Sequence, residues 1–469
     1  MKFYDRDNEL SLLKRAVGTA SLKFIVVKGI RRIGKTELLL THLKNKEFAY
    51  VFVPKGKTTN LFLEDVSTEL KIPVFSRAQD FLDFVFDKYE FVFLDEFQNF
   101  YFMDSSIYSE MQRLIDKYSK KALTIFVAGS SYSLLKKIFS DYGKALYGRR
   151  DFELSLQELP VSTVCEILND LHIKDIEDQV KFWAVFGGVP RFYTILEKLK
   201  VTSFHDFEKT FLKEQLRVLF DEGRTILVSE FGGDYKIFYS LLEAIALGRT
   251  TLSEISALFG SDKITTNRYL NTLRNEYNFV FKQTPVTEPL KSSNGRYRLR
   301  NNFISFWFKF FKKQEAFFEQ ERFSELLEII SKNLNTFFGR LFEDFCMGLV
   351  KENKIRLPFA FTAIGKQWGK IPKEFKTEKQ ESTFEIDFVV LNNETKQILF
   401  AECKWKEKVD AKKIAKGLIN KTRFVRWFND ERKEFFAVFA KSFNKKITEV
   451  DGRKVYCYDL KDLKKVLRK

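Results

Sequence analysis

A short apolar segment that runs directly into a glycine-rich loop is the feature that most constrains how this chain can fold. Residues 24–27 are hydrophobic and mostly β-branched, and the loop at residues 29–36 reads Gly-Ile-Arg-Arg-Ile-Gly-Lys-Thr. The residues that follow, 37–43, are typical of a helix. A strand, a glycine-rich loop and a helix in this order form a phosphate-binding unit, because the loop N–H groups and the positive end of the helix face the same anion. The sequence therefore predicts an α/β domain built on a parallel sheet.

Each residue type in this loop has a chemical reason. Gly29 and Gly34 allow the backbone N–H groups to curl around phosphate. Arg32 lies between these glycines and is predicted to take part in nucleotide binding. Lys35 would neutralise the β- and γ-phosphates, and the hydroxyl group of Thr36 would hold Mg²⁺. The loop therefore predicts that the chain binds ATP together with Mg²⁺.

Two further apolar segments end in polar residues that suit the hydrolysis of a nucleotide. Residues 91–94 lead into Asp95 and Glu96, and residues 123–129 lead into Ser130. Asp95 would belong to the shell of the magnesium ion, and Glu96 would act as the general base that polarises the attacking water. Ser130 would read the γ-phosphate. The sequence thus predicts an ATPase.

Arg149, in the Gly-Arg-Arg sequence at 148–150, has two possible roles. It could act as an arginine finger on the γ-phosphate, or it could pair with an acidic neighbour. A finger that acts between subunits would require an oligomer, whereas the same residue could also act within its own chain. Both roles stay open at this point.

These motifs resemble those of the archaeal-type P-loop ATPases of the AAA+/STAND group that carry a nuclease-like C-terminal domain. The resemblance implies that Asp95 and Glu96 form the Walker B pair of the ATPase. It implies a helical lid that is closed by the segment at 187–193, although a simple helix stop and restart at Pro190 without ligand contact is the alternative. The motifs that carry the resemblance lie at residues 29–36, 94–98, 128–131, 147–150 and 187–193.

The length of 469 residues predicts several domains. The motifs place an ATPase core at 1–160, a helical lid at 161–230, a winged-helix module at 231–312 and a nuclease-like α/β domain at 313–469. Four scattered cysteines suggest neither disulfides nor a zinc site, and the charged N-terminus lacks a signal segment, so we expect a cytoplasmic protein. The most apolar run, 303–311, is too short to cross a membrane and is predicted to be a core helix.

The middle of the chain has the outline of a winged helix. Helical patterns at 236–247, 251–260 and 265–277 precede a strand-like segment at 279–282, and a strand pair is expected around Asn294-Gly295. The third helix could enter a DNA groove, or the module could only transmit motion between domains. The net charge of +17 favours a polyanionic partner, with DNA preferred to a membrane.

The C-terminal part contains carboxylates that alternation places on neighbouring strands. Glu402 and Lys404 share one face of a predicted strand, and a turn centred between Glu394 and Thr395 would place Asp387 opposite Glu402. Facing carboxylates repel each other, so a bound Mg²⁺ or Mn²⁺ would rationalise them, and Lys404 could stabilise the reacting phosphate or orient water.

This pattern resembles the PD-(D/E)xK nuclease fold, with Ile386 in place of the usual proline. The resemblance implies that Glu343, on a helix at 338–349, is a further acidic residue of the metal site. We therefore expect an ATP-gated protein that acts on DNA through a metal-dependent nuclease domain. The alternative is a nucleotide-dependent regulatory or scaffold protein whose winged-helix and C-terminal domains bind DNA or protein without cleaving.

Overall fold

The computed structural model of the protein describes residues 2–17, 21–130, 132–231, 235–289, 291–375 and 382–468. The N-terminal part is the predicted α/β layer. Its elements are α1 (Asp7–Ala16), β1 (Lys23–Lys28), α2 (Lys35–Leu43), β2 (Ala49–Phe52), α3 (Thr59–Leu70), α4 (Ala78–Lys88), β3 (Phe91–Asp95), α5 (Phe100–Met103), α6 (Ile107–Lys117), β4 (Thr124–Gly129), α7 (Tyr132–Phe139) and β5 (Phe152–Ser155).

The five strands of this layer form one parallel sheet in the order β2-β3-β4-β1-β5. Alternate residues of each strand face opposite sides, so Val26 and Val27 belong to two different hydrophobic cores. Helices cover both faces, which explains why the strands read as continuous apolar runs. The predicted fold class is confirmed, and β1, β3 and β4 carry the predicted loop and site residues at their carboxyl ends.

A helical region and a small helix–hairpin module follow the sheet. The helical region contains α8 (Val161–Asp170), α9 (Ile176–Phe186), α10 (Pro190–Lys198), α11 (Phe204–Asp206), a π-helical turn (Phe207–Phe211) and α12 (Leu212–Phe231). The module contains α13 (Tyr235–Ala246), α14 (Leu252–Phe259), α15 (Lys263–Asn275), β6 (Val280–Gln283) and β7 (Arg296–Leu299). A capping box between Thr251 and Glu254 fixes the start of α14, as its sequence suggests.

The strand pair of the module differs from the predicted one in its turn. β6 and β7 are antiparallel, with Val280 opposite Leu299, and residues 284–295 connect them. Asn294 and Gly295 therefore precede β7 directly instead of forming a tight turn. The side chain of Lys282 occupies the space where a Cβ of Gly295 would lie, so the glycine serves a close cross-strand contact.

The C-terminal part begins with a helical segment and ends in a mixed sheet. It contains α16 (Asn302–Phe306), a π-helical turn (Trp307–Phe311), α17 (Glu315–Glu319), α18 (Phe323–Lys351), β8 (Ala363–Lys370), β9 (Thr383–Asn392), β10 (Gln397–Lys404), β11 (Val409–Asp410), α19 (Ala411–Thr422), β12 (Lys433–Ala440), β13 (Phe443–Lys445), β14 (Glu449–Val450), β15 (Arg453–Asp459) and α20 (Leu460–Leu467). The predicted core helix at 303–311 is buried, as expected.

The six-stranded C-terminal sheet has the order β14-β15-β12-β10-β9-β8. β8, β9 and β10 are antiparallel neighbours, and β12 joins β10 in parallel after the crossover through α19. Within the described ranges no helix is long and apolar enough to cross a membrane.

The parts of the chain are tied together by shared cores and by side-chain caps. One core extends from the helical region through the module to the first half of α18. A second core joins α8 and α9 to the second half of α18 and the C-terminal sheet. The carboxylate of Glu352 accepts hydrogen bonds from the N–H groups of Val161 (2.7 Å) and Ser162 (2.9 Å), so the end of α18 caps the start of α8. Movement of the helical region would therefore reach the C-terminal sheet directly.

Candidate functional site

The glycines of the 29–36 loop are required by its geometry. A Cβ at Gly29 would lie 2.9 Å from Cγ2 of Ile33 and 3.0 Å from the carbonyl oxygen of Leu156. Gly34 has φ of 96° and forms the N-cap of α2, a left-handed conformation that glycine adopts without strain. The loop therefore wraps tightly in front of the positive end of α2, as a phosphate site requires.

Lys35 and Thr36 both contact the residues around the loop. Lys35 is buried, and its Nζ donates to the carbonyl oxygens of Gly29 (3.0 Å) and Ile30 (3.2 Å). Burial lowers the pKa of Lys35. The hydroxyl group of Thr36 donates to Oδ2 of Asp95 (2.7 Å), which joins the loop to the end of β3.

Asp95 collects the oxygen atoms that a magnesium ion prefers. Its Oδ2 also accepts from the hydroxyl group of Tyr50 (3.2 Å), and burial raises the pKa of Asp95. A hydroxyl group and a carboxylate in contact are hard oxygen ligands, so Thr36 and Asp95 fit Mg²⁺. Tyr50 is a neighbour that the sequence analysis missed, because β2 carries no motif of its own.

Glu96 is held as a general base would need to be. It has φ of 51°, and its Oε2 accepts from Oγ of Ser130 (2.9 Å) and from Nε2 of Gln98 (2.5 Å). The ends of β3 and β4 thus place Glu96 and Ser130 together, while their roles toward the nucleotide stay predictions. Gln98 was not assigned a role, although it belongs to the motif at 94–98. Ser131 of the neighbouring motif lies outside the described residues.

A cavity of about 590 Å³ lies in front of the loop. Two segments that are distant from the loop in sequence also line this cavity. They are the N-terminal residues Lys2, Phe3 and Tyr4, and the α10 residues Pro190 and Arg191. The full lining also includes Arg6, Arg32, Ile33, Gly34, Lys35, Thr36, Glu37, Glu96, Leu159 and Thr194. Sequence reasoning missed Arg191 and the N-terminal segment, since only the fold brings them to the loop.

In the segment at 187–193, the two glycines are required by the backbone geometry, whereas Arg191 faces the cavity. Gly187 has φ of 60°, and a Cβ at Gly188 would lie 2.2 Å from the carbonyl oxygen of Leu159. The N–H of Leu159 donates to the carbonyl oxygen of Gly188 (2.8 Å). The predicted helix stop and the restart at Pro190 are therefore confirmed, while Arg191 lines the cavity beyond them.

The two arginines predicted near the nucleotide have acidic partners in this chain. Arg32 has φ of 69° and forms an ion pair with Glu222 of α12. Arg149 forms an ion pair with Asp116 of α6. Pairing with an acidic neighbour is thus the observed alternative for Arg149, and its action as a finger between subunits stays a prediction.

The C-terminal carboxylates lie in the predicted register. Leu391 of β9 is opposite Ile398 of β10, and Phe388 is opposite Ala401, which centres the turn between residues 394 and 395 as expected. Beyond this ladder, Oδ2 of Asp387 accepts from the N–H of Cys403 (2.6 Å). The hairpin therefore brings Asp387 next to β10 beside Glu402.

Lys404 connects the two carboxylates. Its Nζ lies 2.8 Å from Oε1 of Glu402 and 3.9 Å from Oδ2 of Asp387. Burial raises the pKa of Asp387 to about 7, with further contributions from the charges of Glu343 and Glu402. Three acidic side chains thus influence one another, as the hypothesis of a phosphodiesterase site requires.

Two lysines that the sequence analysis did not assign also pair with these carboxylates. Nζ of Lys421 lies 3.1 Å from both carboxylate oxygens of Glu402. Lys366 has no exposed side-chain surface and pairs with Glu343 and, at 3.2 Å, with Asp344. Among the residues that the structure describes, no group of three or more His, Cys, Asp or Glu side chains is arranged to hold a metal ion. The metal role of Glu343, Asp387 and Glu402 stays a prediction.

Comparison with known proteins identifies the parts of the chain. Residues 21–162 match the AAA domain, and residues 307–414 match a family described as archaea bacterial proteins of unknown function. An uncharacterized protein of Methanocaldococcus jannaschii is 31% identical over 468 residues, which covers 98% of this chain and 99% of that protein.

Two solved structures are also similar to this chain. A Walker-type ATPase of Pyrococcus abyssi aligns with a TM-score of 0.49 and 17% identity over 66% of this chain and 96% of its own. The ORC2 protein of Aeropyrum pernix, in ADPNP and ADP complexes, aligns with a TM-score of 0.40 and 15% identity over 70% of this chain and 94% of its own. The chain therefore belongs to the same family as the M. jannaschii protein, and its AAA domain at residues 21–162 identifies it as an archaeal-type AAA+ P-loop ATPase.

Proposed function

We propose that this ATPase acts on DNA, and that its C-terminal domain is a metal-dependent nuclease whose activity ATP controls. The observation that carries the nuclease proposal is the contact of Lys404 with both Glu402 and Asp387 on adjacent strands. The surrounding order of α18, three antiparallel strands, α19 and a parallel strand agrees with the PD-(D/E)xK fold.

The proposed hydrolysis of ATP uses the chain's own groups in defined roles. Lys35, Arg32 and the N–H groups of the loop would bind the phosphates, and Mg²⁺ held by Thr36 and Asp95 would neutralise their charge. Glu96, oriented by Ser130 and Gln98, would take the proton of the attacking water.

The proposed cleavage of DNA relies on the carboxylates of β9 and β10. A divalent ion, when bound by Asp387 and Glu402, would supply Lewis acidity toward the phosphate. Lys404 would release Glu402 and either stabilise the reacting phosphate or orient the water. A bound divalent ion would also favour the ionised form of Asp387, whose pKa burial raises.

The helix–hairpin module supports a DNA partner. We propose that it is a winged helix, since three helices precede an antiparallel strand pair. Arg268 on α15 is exposed, and the chain carries a net charge of +17. These cations would contact the phosphate backbone without reading its sequence.

A physical link between the two proposed sites supports control by ATP. Glu222 of α12 pairs with Arg32 in the loop, so phosphate and Glu222 would compete for the same guanidinium group. The region that contains α12 shares a core with α18, and Glu352 at the end of α18 caps α8. Nucleotide binding would therefore shift helices that pack on the C-terminal sheet.

The decisive experiment is cleavage of single-stranded and duplex DNA with Mn²⁺ or Mg²⁺. Asp387→Asn should abolish cutting, whereas Glu394→Gln, a change at an exposed carboxylate in the β9–β10 turn, should leave it intact. Cutting that survives Asp387→Asn would place the nuclease elsewhere or in a contaminant, and the proposal would fail.

A specific observation favours a second candidate function, in which the C-terminal domain binds DNA or protein without cutting. Lys366, Lys404 and Lys421 already supply positive charge to Glu343 and Glu402. If calorimetry detects no Mn²⁺ binding that depends on Asp387, and no DNA is cut while ATP turnover is intact, the binding function is the correct one.

A further inference from the structure

A crevice rich in cations lies between the β6–β7 hairpin, the segment around the second π-helical turn, and α18. Its volume is about 450 Å³. Two carboxylates, Asp344 and Glu158, are part of its wall, and Asp344 is already paired with Lys366 and, at 3.6 Å, with Arg298. Five cations line the crevice: Arg298, Arg300, Lys309, Arg340 and Lys351.

Most of these cations have no anionic partner among the described residues. Arg300, Lys309, Arg340 and Lys351 form no side-chain hydrogen bond and no ion pair with the part of the chain that the structure describes. Nε of Arg298 is buried without a hydrogen-bond partner in the same part of the chain. Arg300, Arg340 and Lys351 are exposed and Lys309 is half-buried, so these cations are accessible to a ligand, and a wall of this kind suits an anion.

The cations also act on one another. Burial, together with the neighbouring charge of Arg298, lowers the pKa of Arg340. Burial, together with Arg340, lowers the pKa of Lys309. Like charges held close together destabilise a fold unless an anion offsets them. The charges of Asp344, Glu343 and Glu385 already offset part of this repulsion at Arg340, and a bound phosphate would offset more of it.

A second cavity of about 660 Å³ adjoins the crevice and shares Glu158, Phe281, Arg300 and Lys351 with it. It is less polar, and Tyr132, Tyr277, Phe279 and Phe281 contribute aromatic side chains to its wall. Aromatic faces beside a cationic wall suit a stacked base that carries phosphate groups. The guanidinium group of Arg300 lies 5.5 Å from the ring of Phe281, at the junction of the two cavities.

We propose that the two adjoining cavities form a binding site for a free nucleotide, distinct from the cavity in front of Lys35 and Thr36. The base would lie among Tyr277, Phe279 and Phe281, and the phosphates would contact Arg300 and Arg340. Both cavities have the size of small-molecule sites, roughly 300–1,000 Å³. Residues of the module, the helical region and α18 line the space.

The location gives such a ligand a route to the ATPase site. The aromatic cavity also reaches Arg31 and Ser130, and Ser130 donates to the general base Glu96. A nucleotide in this site would therefore contact the module, α18 and the catalytic edge of the parallel sheet at once. This places a regulatory ligand where the parts of the chain meet.

The test is a calorimetric titration with ADP, in which Lys35→Ala removes binding at the loop. We expect two sites in the unaltered protein and one in Lys35→Ala. Adding Arg340→Ala should weaken the remaining site at least roughly tenfold, as expected for a lost charge-assisted hydrogen bond. Adding Lys332→Ala, an exposed change on the same helix, should leave it unchanged.

Three outcomes would overturn the proposal. The first is a single site that Lys35→Ala abolishes, and the second is a remaining site that is indifferent to Arg340→Ala. The third is an Arg340-dependent site that binds a single-stranded oligonucleotide but not ADP, because the ligand of this site would then be a nucleic acid strand. Thermal unfolding monitors the fold of each variant, and Lys309→Gln in the Lys35→Ala background decides the matter if Arg340→Ala fails to fold.

Discussion

Replacing Glu158 by glutamine should make the free energy of unfolding less dependent on pH. Glu158 lies where the parallel sheet, the helical region and the segment after β7 meet. Its carboxylate accepts from the N–H of Gly188 (3.1 Å) and from Nδ2 of Asn301 (3.2 Å). Burial raises the pKa of Glu158 to about 7 from an ordinary value of 4.5, despite these hydrogen bonds and the charge of Arg300.

The direction and the size of the effect follow from this shift. Between the two pKa values the folded state binds more protons than the unfolded state, so the free energy of unfolding falls as pH rises through this window. The cost of ionising Glu158 is below roughly 1 kcal/mol at about pH 5 and reaches roughly 3 kcal/mol at about pH 8. A glutamine does not titrate and avoids this cost.

The assay is urea unfolding of the unaltered protein and of Glu158→Gln at both pH values. The stability advantage of Glu158→Gln should grow by about 2.5 kcal/mol between about pH 5 and about pH 8. Glu166→Gln, at an exposed position on α8, serves as the control and should show no such growth. An advantage of Glu158→Gln that is equal at both pH values would refute the reasoning.

Three further predictions concern the nucleotide loop and the C-terminal cluster. Glu96→Gln should keep ATP binding and reduce kcat by roughly 10²- to 10⁴-fold, as steady-state hydrolysis and equilibrium binding would show, because the general base is lost. Glu222→Gln should tighten nucleotide binding several-fold in a fluorescence titration, because the carboxylate that competes for Arg32 is removed; weaker binding would contradict this. Lys366→Met should lower the free energy of unfolding by about 3–5 kcal/mol in a denaturant titration, since it leaves Glu343 and a second carboxylate without their buried partner, and an unchanged midpoint would show that the pair contributes nothing.

The sequence was most informative where function depends on residues close together in the chain or on strand ends. The 29–36 loop, Asp95, Glu96 and Ser130 were predictable because parallel strands of one sheet present their carboxyl ends at the same edge. The position of Arg191 beside the loop was not predictable, since it depends on how α10 packs within the helical region. The sequence position of Arg191 does not distinguish it from an exposed arginine that contacts only solvent.

In the C-terminal site, too, contacts set by a local pattern were predictable and contacts set by packing between elements were not. Alternation and one turn were sufficient to predict that Asp387 and Glu402 are neighbours, because a hairpin register follows from the centre of its turn. The pairing of Lys421 with Glu402 and of Lys366 with Glu343 was not predictable, because each joins a strand to a helix. No local pattern in so lysine-rich a chain identifies which lysine will make such a contact.

The central claim, that ATP controls the cutting of DNA, is tested most directly by comparing cleavage by Lys35→Ala and Glu96→Gln in Mn²⁺, with and without ATP. Lys35→Ala should not bind ATP at the 29–36 loop, and Glu96→Gln should hold it there without hydrolysis. The account predicts that ATP changes the cleavage rate of Glu96→Gln and leaves that of Lys35→Ala unaffected. Equal rates in both variants, with and without ATP, would contradict control of the nuclease by nucleotide binding.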